Sequence, residues 1–266
     1  MGTLVQIDGA AASPAVLTHG LDGAIAAIRR VDALLSFHDP ASELSRLNTC
    51  TGVATPVHPI SYAALRRALR FAADSDGVFD PSVAPRLVTD GHLPRPSGPV
   101  PLGTWRDIEL LPQRRVRFRR RVWIDLGGIA KGLAVDLAIH ALRRAGCRSA
   151  IVNAGGDLRC FGPTPQLIHV RGEIGVTPLA WLRYGAVATS VPRPTRPTRS
   201  ERMGYIVDSR RGTGGSVGSL FAGPVSVAAG SCVVADALTK VAALLGPSCR
   251  EFLARYGAVG RWPGAA

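Results

Sequence analysis

Residues 127–132 (GGIAKG) have the composition of an anion-binding turn. Glycines let backbone amides approach an oxyanion, the start of a following helix adds positive potential, and Lys131 adds a full charge. The spacing is neither the P-loop pattern nor the dinucleotide fingerprint, so neither of those nucleotide sites is predicted. Two glycines alone would indicate only a tight turn, but Asp125 before them and Lys131 after them favour a functional site.

Asp157 and Asp80 lie in turn-forming segments where a carboxylate has two interpretations. Asp157 closes the sequence NAGGD, which is as consistent with an Asx-type turn as with a binding site. Asp80 precedes Pro81 and is most simply a turn starter, although an aromatic residue beside a carboxylate could also hold a ring with polar edges. Neither segment specifies a ligand by itself.

Asp236 and Lys240 are four residues apart on the apolar segment 233–245 and would share one face of a helix. A structural ion pair and a metal or phosphate site are both open interpretations. Burying an acid without a partner is costly, so an acid on so apolar a helix favours a function. Lys131 and Lys240 are also the only lysines among 32 basic residues, which indicates that an ammonium point charge is preferred at both places.

The composition is that of a globular chain with a large basic excess. The 266 residues are 46% hydrophobic and carry a formal charge of +13, which raises nucleic acid, a membrane surface or an anionic substrate as partners. Arginine supplies nearly all of the basic residues beside abundant alanine, glycine and proline, a pattern typical of codon pressure. The arginines of 114–121 are accompanied by no aromatic ladder or known binding module, so nucleic-acid binding is not expected.

Metal, membrane and export signals are weak in the sequence. The five cysteines form no CxxC pair and have no histidine at ligand spacing, so no zinc site is predicted. No apolar run approaches the roughly 18–20 residues of a membrane helix, so no membrane span is expected. The first residues, MGTLVQIDGA, lack a basic and apolar leader, and a cytoplasmic protein is expected.

Hydrophobic periodicity predicts helices and strands that would position these residues. A strand, a glycine turn and a helix are predicted over 123–146, so Lys131 would lie at the start of that helix. Ser61 is expected to cap a helix, and residues 191–202 are expected to form a loop. The other predicted elements are helices at 19–35, 61–74, 233–245 and about 248–256, a hairpin at 113–125, and strands at 3–7, at the start of 149–162, at 205–208 and at 224–228.

Taken together, these segments resemble the ApbE family, the FAD:protein FMN transferases. The resemblance covers almost the whole chain in the family's order and approximate spacing. The segments that carry it are Met1-Gly2-Thr3, FHDPASELSRLN (37–48), GVFDPSV (77–83), Trp105, IDLGGIAKGLAVD (124–136), VNAGGDLRCFG (152–162), AVATS (186–190), YIVDSRRGTG (205–214) and SCVVADALTKVAALLG (231–246).

The resemblance implies both a fold and an activity. The expected fold is α+β, with mixed sheets and flanking helices in two related, T-fold-like halves that enclose a flavin cleft. It would form one domain over 1–266, with sub-halves of about 1–120 and 121–266. Family members bind FAD and a divalent metal, usually Mg²⁺, and transfer FMN to a threonine hydroxyl of a target flavoprotein with release of AMP. Some members also hydrolyse FAD to FMN and AMP.

The resemblance also assigns roles to individual residues. Asp236 would be the side-chain metal ligand, assisted by Thr239 and by the backbone oxygen of Gly128, and Lys240 would join Asp236 and Thr239 in catalysis. The residues expected to contact FAD are Met1, Phe37, Phe79, Asp80, Asp125, Gly127, Lys131, Asp157 and Asp208.

Three departures from the family pattern bear on activity. The family commonly has Thr or Ser four residues after the metal-binding Asp, where this chain has Lys240; Thr239 is one residue earlier and about 100° around the helix. Tyr205 replaces a histidine, and Val191 replaces a glycine. A flavin-binding protein that has lost catalysis is therefore an alternative from a different class, beside an FAD pyrophosphatase.

Overall fold

The computed structural model describes residues 2–172, 175–191, 206–210 and 223–263. The chain divides into two compact units. The first unit contains Met1–Arg30, Lys131–Ile206 and Gly218–Ala266, and the second contains Val31–Ala130 and Val207–Val217. Both contain helices and strands, which confirms the expected α+β class. The expected domain organisation stays a prediction.

The described residues form eleven strands and seven α-helices. The strands, in chain order, are β1 (Val5–Ala10), β2 (Thr55–Pro56), β3 (Ile108–Leu111), β4 (Arg115–Phe118), β5 (Ser149–Ala154), β6 (Asp157–Phe161), β7 (Gln166–Gly172), β8 (Gly175–Leu182), β9 (Gly185–Ser190), β10 (Val225–Ala229) and β11 (Val259–Arg261). The helices are α1 (Pro14–Leu35), α2 (Glu43–Leu47), α3 (Pro59–Asp74), α4 (Ala84–Thr89), α5 (Ala130–Arg144), α6 (Cys232–Leu245) and α7 (Arg250–Ala254).

The first unit is built on a six-stranded sheet in the order β1-β5-β6-β9-β10-β11. Every neighbouring pair in this sheet is antiparallel. The glycines between β5 and β6, Gly155 and Gly156, have φ of 64° and 97°, so this turn needs residues without a Cβ. The turn places Asp157 at the first position of β6. Strands β7 and β8 form a separate hairpin.

Helix α6 packs against β9 and β10 and is almost entirely buried. Its burial explains its composition, because a helix that is apolar on all sides belongs in a core. The segment Cys232–Ala254 has the length and mean hydropathy of a membrane span, but 72% of the tested window is buried inside the structure. Two polar residues, Asp236 and Thr239, are nevertheless fully buried on α6.

The second unit contains a three-stranded sheet in the order β2-β4-β3. The strand predicted after residue 122 is wrong, because residues 121–126 belong to no strand. The side-chain amide of Asn48 takes the place of a neighbouring strand: its Oδ1 accepts from the backbone N–H of Ile124 at 2.8 Å, and its Nδ2 donates to the Ile124 carbonyl at 3.0 Å. This segment therefore leads directly into the turn at 127–129 and then α5.

Two further predictions about local structure are wrong. Ser61 does not cap its helix, because α3 begins at Pro59 and His58 Nδ1 accepts from the backbone N–H of Ile60 at 3.1 Å. Residues 206–208 form no strand. The predicted loop at 191–202 lies outside the described residues, except for Val191.

Candidate functional site

The first unit brings four predicted site residues together, and we call them the lysine–carboxylate cluster: Lys131, Asp157, Asp236 and Lys240. Lys131 is the second residue of α5, Asp157 is the first of β6, and Asp236 and Lys240 lie one turn apart on α6. Three elements that are distant in sequence thus contribute to one cluster.

Asp236 is the centre of the cluster. Its Oδ1 forms a short ion pair with Lys240 Nζ and lies 3.6 Å from Lys131 Nζ. Its Oδ2 accepts from the backbone N–H of Gly132 at 2.9 Å. Lys131 Nζ also pairs with Asp157 Oδ2 at 2.6 Å, so this ammonium group bridges the two carboxylates.

The exposure of the four side chains is uneven. The side chains of Asp236 and Asp157 are 0% and 2% exposed, whereas those of Lys131 and Lys240 are 27% and 19% exposed. The two lysine side chains are therefore the more accessible members of the cluster. The cluster is better placed to receive an anion than a cation.

The charges of the cluster shift one another's pKa. Burial would raise the pKa of the Asp236 carboxyl, but the Lys131 and Lys240 ammonium groups outweigh it, so the pKa lies below its ordinary value. Burial would lower the pKa of Lys131, but Asp236 and then Asp157 outweigh it, so its pKa is raised. Burial and the negative charge of Asp236 raise the pKa of Asp157 above its ordinary value, despite Lys131.

The close approach of α5 and α6 depends on a glycine and an aspartate. A Cβ on Gly132 would lie 2.8 Å from the Cβ of Asp236 and closer still to the Cys232 carbonyl, so only glycine fits. Asp136, one turn further along α5, accepts from the backbone N–H groups of Cys232 and Val233 at 2.9 and 3.0 Å. These bonds satisfy two of the free amides at the start of α6.

Asp136 is not among the predicted site residues, although it ends the segment IDLGGIAKGLAVD (124–136). Arg159 on β6 pairs with Asp136 at 2.7 Å and completes its contacts. The sequence feature that marks Asp236, an acid within an apolar helical segment, marks Asp136 as well.

Thr239 has no capacity left for a metal. Its hydroxyl donates to the Asp236 carbonyl at 2.7 Å and accepts from Ser190 Oγ at 2.9 Å and from Lys240 Nζ at 3.3 Å. A hydroxyl has one donor and two acceptor sites, so all of them are used. Ser190, at the end of β9, belongs to the segment AVATS (186–190) and is not among the predicted site residues.

The donor set around Asp236 does not fit a divalent cation. Both of its carboxylate oxygens are engaged, and two ammonium groups stand where a metal would be attracted. Among the described residues there is no group of three or more His, Cys, Asp and Glu side chains that could hold a metal. Gly128, the other expected ligand, lies in the turn of the second unit at 127–129.

The other predicted FAD contacts that the structure describes belong to the second unit, where most are engaged within the protein. Phe37 and Phe79 are buried, and Phe79 packs edge-on against Phe71 with ring centroids 5.8 Å apart. Asp80 Oδ1 accepts from both the backbone N–H and the hydroxyl of Ser82 at 2.6 Å, as in the turn-starter interpretation.

Asp208 and the turn after Asp125 complete the predicted set. Asp208 is buried and receives a two-pronged ion pair from Arg210, at 2.8 Å to Oδ1 and 2.9 Å to Oδ2. A Cβ on Gly127 would lie 3.0 Å from Asp125 Oδ2, so the carboxylate covers this glycine closely. Met1 and Tyr205 lie outside the described residues.

Comparisons with known proteins identify relatives of this chain. The chain is 28% identical over 180 residues to an FAD:protein FMN transferase of Treponema pallidum, a match that covers 61% of this chain and 50% of that protein. It is 30% identical over 223 residues to one of Chlamydia trachomatis, covering 78% of this chain and 70% of that protein. The chain thus spans about half the length of the Treponema relative.

A solved structure and a family model match this chain over more of its length. The crystal structure of the ApbE protein from Thermotoga maritima superposes with a TM-score of 0.79 and 25% identity, over 100% of this chain and 93% of that one. The model of the ApbE family matches residues 1–259. The chain therefore belongs to the ApbE family.

Proposed function

We propose that this chain is an FAD:protein FMN transferase that attaches FMN to a threonine hydroxyl of a target flavoprotein and releases AMP. Family membership and relatives that are FAD:protein FMN transferases support this proposal. The observation that carries it is the lysine–carboxylate cluster, in which the partly exposed side chain of Lys131 is held by two buried carboxylates.

The reaction makes one bond and breaks one bond at the FMN phosphorus. The threonine oxygen of the acceptor bonds to that phosphorus, the oxygen that bridges to the AMP phosphate leaves with the bonding electrons, and the hydroxyl proton passes to solvent water. Negative charge increases on the phosphate oxygens and the leaving AMP in the transition state. A fixed positive group beside these oxygens therefore lowers the barrier.

Lys131 is the group best placed to contact the diphosphate. Within the described part of the chain its ammonium group contacts only Asp157, at 2.6 Å, and Asp236, at 3.6 Å, which leaves at least one of its three donors for a ligand. Both carboxylates keep it protonated and limit its movement. A charge-assisted hydrogen bond from a preorganised ammonium group is strong and needs no rearrangement during the reaction.

Magnesium is the part of the expected chemistry that the cluster supports least. When bound, Mg²⁺ would neutralise developing phosphate charge. The engaged oxygens of Asp236 do not fit it, so we assign that neutralisation to the ammonium groups. Magnesium dependence stays a prediction from the resemblance alone.

The fate of FAD separates the proposed function from its alternatives. The full chain is incubated with FAD and a flavoprotein domain that carries the target threonine, with the threonine-to-alanine form as control. Covalent FMN on the first acceptor only, with one AMP released, supports the transferase. Free FMN and AMP indicate a pyrophosphatase, unchanged bound FAD indicates a flavin-binding protein, and no FAD binding overturns the proposal.

Lys131→Met tests the role of the ammonium group. We expect the rate of FMN transfer to fall about 100-fold, the usual order for loss of one preorganised donor. Arg30→Met, an exposed position on α1, removes the same charge without touching the cluster. Transfer by Lys131→Met at the rate of Arg30→Met, in protein whose circular dichroism matches the wild type, would exclude Lys131 from the reaction.

A further inference from the structure

Lys240 occupies a shell of oxygen atoms of the kind that binds hard metal ions. Its ammonium group contacts the Asp236 carboxylate, donates to the Asp236 carbonyl at 2.9 Å, and donates to the Thr239 hydroxyl at 3.3 Å. Carboxylate, carbonyl and hydroxyl oxygens are ligands of Mg²⁺ and Ca²⁺. The three N–H donors of the ammonium group each have an acceptor there.

The charge of the cluster is already balanced without a metal. Asp157 and Asp236 contribute two negative charges, and Lys131 and Lys240 contribute two positive charges. A divalent ion at Asp236 would lie beside both ammonium groups in a region from which water is largely excluded, where repulsion is strong. It could bind only by displacing Lys240.

The choice of lysine agrees with this interpretation. The chain uses arginine almost everywhere, yet both of its lysines lie in this cluster. An ammonium group is a compact point charge with three donors, whereas guanidinium is a flat fork that cannot fill a small oxygen shell. The composition of the rest of the chain makes a lysine here a position-specific requirement.

We propose that Lys240 is an internal cation that takes the metal position on Asp236, so that this chain binds the FAD diphosphate without Mg²⁺. The first half of this proposal, that Lys240 takes the metal position, concerns Lys240 alone. The second half, that FAD binds without Mg²⁺, rests on the proposed function. In this arrangement Lys240 neutralises Asp236 permanently, and Lys131 keeps its remaining donor for the phosphate.

Manganese binding tests the first half without FAD or turnover. Electron paramagnetic resonance of added Mn²⁺ reports the free ion, so bound Mn²⁺ is measured as lost signal. We expect wild-type protein to leave the signal unchanged at millimolar Mn²⁺. Lys240→Thr removes one positive charge and is expected to bind one Mn²⁺ per chain.

Two comparisons make this measurement decisive. Arg30→Thr removes one positive charge from an exposed site on α1 and should bind no more Mn²⁺ than the wild type. One equivalent of Mn²⁺ bound by wild type and lost in Asp236→Asn would overturn the proposal. The wild-type result stands even if Lys240→Thr fails to fold.

FAD titration tests the second half. We expect the affinity of the wild type, followed by flavin fluorescence, to be the same in EDTA as in Mg²⁺, and the affinity of Lys240→Thr to fall about tenfold in EDTA and recover with Mg²⁺. A wild type that binds FAD only with Mg²⁺ overturns the internal cation. A wild type that binds FAD in neither condition overturns the proposed function, while the Mn²⁺ result still decides the role of Lys240.

Discussion

Asp236 combines complete burial with three positively polarised neighbours. The Gly132 amide and the ammonium groups of Lys131 and Lys240 all point to its carboxylate. Removing one member of a buried charge pair costs more than the pair itself contributes, because the remaining charge loses its partner. Asp236 is therefore required both for the stability of this region and for the position of Lys131.

Asp236→Asn is expected to abolish FMN transfer and to lower the free energy of unfolding by about 3 kcal/mol at pH 7. The folded pKa of Asp236 is lowered, so its contribution is present above the unfolded value of about 3.9 and is lost as the pH falls through the folded value. The difference between wild type and variant should therefore shrink below about pH 4. Urea unfolding from pH 3 to 7 measures it.

Asp22→Asn is the matched control, because Asp22 is an exposed acid on α1. It should change neither the free energy of unfolding nor its pH dependence beyond about 0.5 kcal/mol. A pH-independent loss in Asp236→Asn would show that Asp236 is not ionised in the folded protein, contrary to the cluster described above.

Helices α5 and α6 position the cluster because their contact is unusually close. Gly132 allows the approach, and its own amide donates to Asp236. Asp136 then fixes the start of α6 through two backbone amides. The spacing of the two helices thus sets the distance between Lys131 and Asp236.

Gly132→Ala is expected to lower the free energy of unfolding by about 1–3 kcal/mol, since overpacking outweighs the better helix propensity of alanine. It should also weaken FAD binding, because α5 carries Lys131. Gly23→Ala on α1 is the matched control: its Cβ would lie 3.5 Å from that of Ala141, an ordinary contact, so it should stabilise by about 0.5–1 kcal/mol. Equal thermal unfolding of the two variants would contradict the close packing.

The long helices could be predicted from sequence because their apolar residues repeat over several turns. Helix α6 is found where its run of hydrophobic residues indicated. The local sequence could not show that residues after 122 form no strand, because the backbone of Ile124 bonds to the side chain of Asn48, which is 76 positions away in sequence. Hairpin β7–β8 was missed because its exposed faces carry no steady alternation.

The cluster was partly predictable for a different reason. Lysine in an arginine-rich chain and an acid in an apolar helix are conspicuous in any local window, so Lys131 and Asp236 could be singled out. Which oxygen each ammonium group contacts depends on the packing of α5, β6 and α6 together. The capping role of Asp136 depends on the same packing.

The two edges of the six-stranded sheet in the first unit come from distant parts of the sequence. Strand β1 forms one edge of the six-stranded sheet and β11 forms the other, although they lie more than 240 residues apart in sequence. Trp262 follows β11, is 2% exposed, and donates from Nε1 to the Ala242 carbonyl at 2.8 Å. The last strand is thereby attached to α6, the helix that carries Asp236.

Trp262→Ala should therefore destabilise the whole first unit, although Trp262 lies outside the cluster. We expect the free energy of unfolding to fall by about 3–5 kcal/mol, the usual cost of emptying a buried tryptophan site. Trp181→Ala, at a position on β8 that is 69% exposed, should change it by no more than about 0.5 kcal/mol. Urea unfolding followed by circular dichroism measures both. If the two variants lost similar amounts of unfolding free energy, the contact between Trp262 and Ala242 would not hold β11 on α6, and this interpretation would be wrong.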